Sequence, residues 1–336
     1  MLSRDLEVNP VRRRLVALTA VPLLLLGTAA CGDNSGAGGS ETQSAGDSIK
    51  GLEVSGDFGS APKVTVDKPL KLEKTESEVL TKGKGNPVVE NEQALLHLYV
   101  ANGTTGAKAL TTYDQGVPAA FQMSEAQLFK SVVDATVGQP VGSRVVVAAT
   151  PQDAFGAKGA PQFKLSGKDD VVFVVDVMSV QPKDVLDAPD GKTATNLPSG
   201  LPTVVEKDGK VTGLDFSKAA KNPPKKLQVV TLKEGDGPPV RKASLVTFDY
   251  LGQVYGSKKV FDQSYNAEPR PFPVGIGGLI KAWDEGLVGV KQGSRVLIIA
   301  PPDMAYGAQG SPPTIPGNAT LAFVVDILGV DPAPSS

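Results

Sequence analysis

The sequence predicts an α+β protein made of two copies of one domain, each an antiparallel β-sheet with a single short α-helix laid across it. Three observations carry this expectation. Hydrophobic residues alternate along several runs, with Val246, Phe248 and Tyr250 on one face of one run and Leu321, Phe323, Val325 and Ile327 on one face of another, the period of a strand with one face buried. One stretch breaks that period: Leu279, Ile280, Trp283 and Leu287 share a face of a short helix, and Trp283 is the only tryptophan. Such a helix and one sheet face bury each other. Finally, the chain repeats itself. Gly142-Ser143-Arg144-Val145 returns as Gly293-Ser294-Arg295-Val296, and Pro151, Ala154 and Gly156 return as Pro302, Ala305 and Gly307, all at an offset of 151 residues. A repeat of that length is a whole domain.

The N-terminal segment, residues 1–31, reads as a targeting signal. Arg12, Arg13 and Arg14 precede an apolar run from Leu15 to Leu26 that is short for a membrane span and ends in small residues. Cys31, the only cysteine, follows Thr28-Ala29-Ala30 and has no partner for an internal disulfide. The junction resembles a bacterial lipoprotein signal, which implies lipidation of Cys31 and anchoring to the outer face of the cytoplasmic membrane; a cleaved signal leaving a free thiol is the alternative. Residues 32–48 lack large apolar side chains and read as a flexible tether.

The two domain copies are placed at 49–180 and 211–331, with a linker rich in Pro, Asp, Gly and Lys at 181–210. Each copy exceeds the ~100 residues that suffice for an independent core. Prolines crowd the connection before the last strand, at Pro301, Pro302, Pro312, Pro313 and Pro316, so this loop is expected to be irregular and stiff, a suitable pocket wall.

A net charge of -2 gives no bias toward nucleic acid. With His97 the only histidine and Cys31 the only cysteine, neither a Cys/His metal site nor a Ser/His/Asp triad can be assembled. His97 falls in a strand-like run and reads as an ordinary sheet residue, matched to Phe248 by the repeat. No phosphate-binding or dinucleotide motif is present, and no cofactor is expected. What stands out is an aromatic set in the second copy, Tyr250, Phe261, Phe272, Trp283, Tyr306 and Phe323, with Asp262 beside Phe261, in a chain that is 5% aromatic. It reads either as core or as an apolar cup for a small ligand or peptide.

The second copy resembles an FKBP-type peptidyl-prolyl isomerase over about 100 residues, on the blocks Thr247-Phe248-Asp249-Tyr250-Leu251-Gly252, Lys259-Val260-Phe261-Asp262-Gln263-Ser264, Leu279 to Gly286, Met304-Ala305-Tyr306-Gly307 and Ala319-Thr320-Leu321-Ala322-Phe323. The resemblance implies a sheet wrapped around the helix with a proline pocket between them. Trp283 would form the floor, and Tyr250, Phe261, Phe272 and Phe323 the walls. Leu279 and Ile280 would line one edge, with the Ile280 N–H a donor to a substrate carbonyl. Tyr306 would offer its hydroxyl, Ile315 would close the flap, and Asp262 would lie beside the isomerising carbonyl or serve a structural role. Ser311 stands where many members have histidine. The partners implied are proline-containing polypeptides and macrolide inhibitors. A non-catalytic peptide-binding chaperone is the alternative from another class, and a solute-capturing lipoprotein a third.

By the repeat offset, Trp283 corresponds to Val132, Tyr306 to Phe155 and Ile280 to Phe129, while Tyr99, Phe121 and Phe173 stand for Tyr250, Phe272 and Phe323. Asp114 and Tyr113 are matched to Asp262 and Phe261. The first copy is therefore expected to keep the fold and a cleft while isomerising weakly or not at all.

Overall fold

The computed structural model describes residues 49–67, 69–331 and 334. The targeting, lipidation and tether assignments at residues 1–48 lie outside the described residues.

The first unit opens with a two-stranded ribbon, β1 (Leu52–Ser55) and β2 (Lys63–Val66), followed by β3 (Glu76–Thr81), β4 (Gln93–Asn102), β5 (Lys108–Thr111), β6 (Ala119–Gln122), helix α1 (Lys130–Thr136), β7 (Arg144–Ala149) and β8 (Val171–Val180). Strand order is β3-β7-β8-β4-β5, with β6 also pairing β4, and every pairing is antiparallel. The second unit repeats the plan. A short β9 (Lys192–Thr193) and a ribbon of β10 (Thr203–Lys207) and β11 (Lys210–Asp215) precede β12 (Gln228–Glu234), β13 (Ser244–Val254), β14 (Val260–Gln263), β15 (Pro271–Val274), helix α2 (Lys281–Gly286), β16 (Arg295–Ala300) and β17 (Leu321–Asp331). Its sheet runs β9-β12-β16-β17-β13-β14, with β15 on β13.

Both faces of the central strands are buried. In the second unit Phe248, Tyr250, Val296, Ile298, Phe323 and Val325 face α2 and Trp283, whereas Leu251, Leu297, Ala322 and Val324 face the ribbon residues Val211 and Leu214. The strict alternation of one residue inward and one outward thus serves two apolar layers, and the unit is helix on sheet on ribbon. The first unit does the same with Leu52 and Val54 of its ribbon packed on Val146, Ala148, Val172 and Val174. The helix is shorter than the apolar spacing suggests. Ile280, extended at φ -63° and ψ 147°, and Leu287 flank α2; all four predicted residues are nonetheless buried.

Residues 181–210, whose composition reads as a linker, are ordered along the second unit. The Gly191 N–H donates to Gly293 O, Leu186 N–H to Leu328 O, Gln292 Nε2 to Asp184 O, and β9 pairs β12. The units also meet directly. Asp331, at the end of β17, accepts from Asn86 Nδ2 (2.7 Å) and the Val180 N–H (2.9 Å), and Ser179 Oγ donates to its backbone oxygen while accepting from the Leu245 N–H.

Candidate active site

Trp283 has no solvent exposure, and its ring is met edge-on by three others: Phe248 at 5.1 Å, Tyr250 at 5.0 Å and Phe323 at 5.3 Å between centroids, with interplanar angles of 79°, 81° and 81°. Edge-to-face contact sets positive ring edges against negative faces, so the sheet holds the indole as a fixed floor. Phe261 stands perpendicular to Phe323 at 5.7 Å, and Phe272 stacks on Phe248 at 5.0 Å. The structure thus brings Tyr250, Phe261, Phe272 and Phe323 into one cluster with Trp283. Gly252 makes this possible: a Cβ there would lie 2.7 Å from the Phe261 ring and 2.8 Å from that of Phe323, below any real contact. The indole Nε1 is buried without an acceptor among the described residues.

The polar groups are few and placed. Tyr250, 1% exposed, donates its hydroxyl to Asp262 Oδ2 at 2.9 Å, and Asp262 is itself buried on β14 at the pocket wall. The Ile280 carbonyl accepts from the Trp283 and Asp284 N–H groups, and the Ile280 N–H stands ahead of the helix, outside its hydrogen-bond ladder. Asp284, unremarked in the sequence, fixes this edge. Its carboxylate accepts from the Gly275 N–H (2.7 Å) and the Leu279 N–H (3.2 Å), pinning the loop that carries Leu279 and Ile280. Burial raises its pKa against the opposing pull of those amides. An acid in a helix's first turn was the available signal. Tyr306 packs half-buried against the core from the proline-rich loop, and Ile315, 1% exposed, is held by reciprocal backbone bonds with Ser311 of 2.8 and 3.0 Å.

Behind the cup lies a second feature not expected from the sequence. Arg295 donates to both oxygens of Asp326 at 2.5 and 2.7 Å and contacts Glu206 of the ribbon, while Tyr265 donates to Asp326 at 2.9 Å. Burial opposes the guanidinium charge, but Asp326 and Glu206 leave its pKa raised. The first unit repeats this network: Arg144 holds Asp176 at 2.6 and 2.7 Å, reaches the ribbon at Gly56 O and Ser60 O, and Tyr113 donates to Asp176 at 2.6 Å.

The network corrects the matching of the two copies. His97 lies opposite Asp176, whereas Asp249 lies opposite Asp326, so His97 corresponds to Asp249 and not to Phe248. A slip of one residue moves a side chain to the other face of the sheet. Tyr99 accordingly belongs to the cluster beneath the ribbon, and Leu98 occupies the position of Tyr250. Tyr113 makes the bond that Tyr265 makes, so it does not stand for Phe261. Asp114 is exposed in an ion pair with Lys108 at 2.7 Å, and Leu110, paired with Val100 as Asp262 is with Gly252, takes the place of Asp262. Phe121 and Phe173 correspond to Phe272 and Phe323 as expected. In the first unit, then, the cup has lost the indole, the tyrosine–aspartate pair, and the glycine that admits the Phe261 ring. Its space is filled instead: Phe129 lies 4.6 Å from Phe155 and 5.1 Å from Phe173.

The profile of the FKBP-type peptidyl-prolyl cis-trans isomerase family matches residues 86–178 and 237–328. The chain belongs to that family, in two copies. It is 41% identical over 107 residues to FK506-binding protein 1 of Rhizopus delemar, covering 31% of this chain and 98% of that one. It is 36% identical over 110 residues to the peptidyl-prolyl cis-trans isomerase FKBP2 of Homo sapiens, covering 32% and 77%. Against the 46 kDa FK506-binding nuclear protein of Spodoptera frugiperda it is 39% identical over 104 residues, covering 31% of this chain and 25% of that one. The chain spans about a quarter of the length of that larger FKBP relative. Both ribbons precede the matched residues.

Proposed function

We propose that the second unit catalyses prolyl cis–trans isomerisation and that the first does not. The observation that carries this is the Tyr250–Asp262 pair at 2.9 Å set against the Trp283 floor, a combination whose counterparts in the first unit are Leu98, Leu110 and Val132. Rotation about an X–Pro bond meets a barrier of ~18–20 kcal/mol from amide resonance. A dry apolar cup favours the twisted amide, whose dipole is smaller, over the planar form that water solvates well, so rate comes from differential binding. Tyr306 and the Ile280 N–H hold the flanking carbonyls, and Asp262 faces the rotating one. The names of the relatives point to FK506-type macrolides as competitors for the same cup.

The Arg-led, apolar segment ending at Cys31 supports a lipidated protein outside the cytoplasmic membrane, where its clients would be exported polypeptides during folding. The filled cup of the first unit favours a non-catalytic, binding role for that half.

The test is turnover of a short X–Pro peptide by the full chain, its Asp262→Ala, Trp283→Ala variant, and a Phe129→Ala, Phe155→Ala variant. Loss of turnover in the first variant and its persistence in the second is expected. Turnover that survives the first variant would move catalysis to the first unit and sink the proposal.

A further inference from the structure

We infer that a client chain seated in the proline cup continues into a groove between the two units, so that the first unit binds the polypeptide flanking the proline. This inference rests on the reading of the second unit as the isomerising one.

The groove, of about 580 Å³, is walled on one side by Phe272 and Arg270 of the second unit and on the other by Gln93, Gln122, Gln127 and Gln181. Phe272 is shared: it stacks on Phe248 in the cup and also lines the groove. The two sites thus share a wall. The groove's chemistry suits a peptide backbone. Each glutamine carries both donors and acceptors, and their local bonds leave opposite ends available: Gln127 spends its oxygen on the Gln122 N–H, and Gln122 spends its nitrogen on Asn91 O. An amide NH₂ on one glutamine and an amide oxygen on the other remain to complement an extended peptide unit, whatever its side chains. Among the described residues Arg270 is the only charged one on the wall, which fits neither a nucleic acid nor a membrane surface.

The groove is also held in shape. Asp331 binds Asn86 and Val180, Ser179 binds Leu245, and the Gln181 N–H donates to Gln93 O at 2.9 Å. A preformed site loses little entropy on binding. Its strand β6 carries Ala120 and Gln122 and, among the described residues, pairs only with β4.

The experiment compares a tetrapeptide with a peptide of about fifteen residues centred on the same X–Pro bond, long enough at ~3.3 Å per residue to leave the cup. Each is assayed for kcat/KM and, fluorescently labelled, for binding by anisotropy. Wild-type full chain is set beside Gln122→Ala, Gln127→Ala and, separately, Ala120→Arg, none of which touches the cup. The long peptide is expected to be preferred by about tenfold, and both variants to erase the preference without changing tetrapeptide turnover, as loss of two or three hydrogen bonds would. Equal handling of both peptides by wild type, or a preference that survives both variants, overturns the inference. If neither peptide is isomerised, the catalytic reading fails separately. Anisotropy then decides the groove: long-peptide binding weakened by both variants supports it, and binding unchanged in them overturns it.

Discussion

The Tyr250 hydroxyl offers a sharp test, because Tyr250→Phe deletes one oxygen and leaves the packing alone. The ring is 1% exposed and its edge-on contact with Trp283 at 5.0 Å involves no oxygen, so no cavity of consequence forms. What is lost is a 2.9 Å hydrogen bond to a buried carboxylate. Hydrogen bonds to charged groups contribute about 1.5–3 kcal/mol, and the second unit should lose about 2 kcal/mol. Trp283 is the only tryptophan and has no exposure, so its fluorescence during urea unfolding reports that unit alone. If Asp262 is aimed by Tyr250, turnover of a short X–Pro peptide should fall about tenfold, the equivalent of ~1.4 kcal/mol. Asp262→Ala should cost at least as much, and the double variant little more than Asp262→Ala. A coupling below ~0.5 kcal/mol, the scatter of independent sites, would refute the reasoning, since the two side chains would then act separately.

Three further outcomes are expected. Arg295→Met should lower the Trp283-reported stability by about 3–5 kcal/mol, the cost of stranding a buried carboxylate, and Arg295→Lys should not restore it, because one ammonium cannot span both Asp326 oxygens; a loss under 1 kcal/mol, measured by urea unfolding, would count against a structural role. Burial, opposed by Asp176, lowers the His97 pKa below its ordinary 6.5. The folded first unit then binds this proton less readily than the unfolded chain, so its stability is full above 6.5 and declines as pH falls toward the folded pKa, and calorimetry should show His97→Gln abolishing that decline. Burial raises Asp331 above 3.8 despite the Val180, Asn86 and Ser179 bonds. Here the sign reverses: stability is full at low pH and falls as pH rises through the window just above 3.8, and Asp331→Asn should flatten the profile seen by thermal unfolding.

The fold was legible because periodicity is physical. Phe248 and Tyr250, or Phe323 and Val325, can share a face only as a strand, and a lone helical stripe can bury itself only across the sheet they make. The cup was legible through side chains whose types are specific to it. Three things were not. Gln253 accepts from the Leu214 N–H and Arg295 contacts Glu206, contacts that tie a ribbon to the sheet. Those ribbon residues lie in polar, glycine-containing text whose outward strand face resembles a linker. Asp284 looks like any helix-start acid until the loop before it folds over. The misalignment of Tyr99 arose because identity was followed along the chain: tyrosine matched tyrosine one residue out of step, while the pairing of β4 with β8 and of β13 with β17 makes His97 the counterpart of Asp249, and register is set by the partner strand.

The two units have kept different things, and this separates stability from chemistry within one chain. Arg144–Asp176–Tyr113 and Arg295–Asp326–Tyr265 are the same buried network on the same strand pair, each tied to a ribbon. Such a network, once built, cannot lose one member cheaply, since the carboxylate left behind is buried and uncompensated. The cup has no such constraint. Exchanging Gly252 and Phe261 for Val100 and Ala109 trades volume across one strand pair, and replacing the indole by Val132 is offset by the rings of Phe129 and Phe155 closing over Phe173. Each exchange keeps apolar atoms packed and removes a feature of the proposed catalytic cup. Under the proposed division of labour the first unit is free to lose turnover while remaining a rigid partner, and its Gln93 and Gln122, outside both the network and the cup, line the groove that Phe272 also lines.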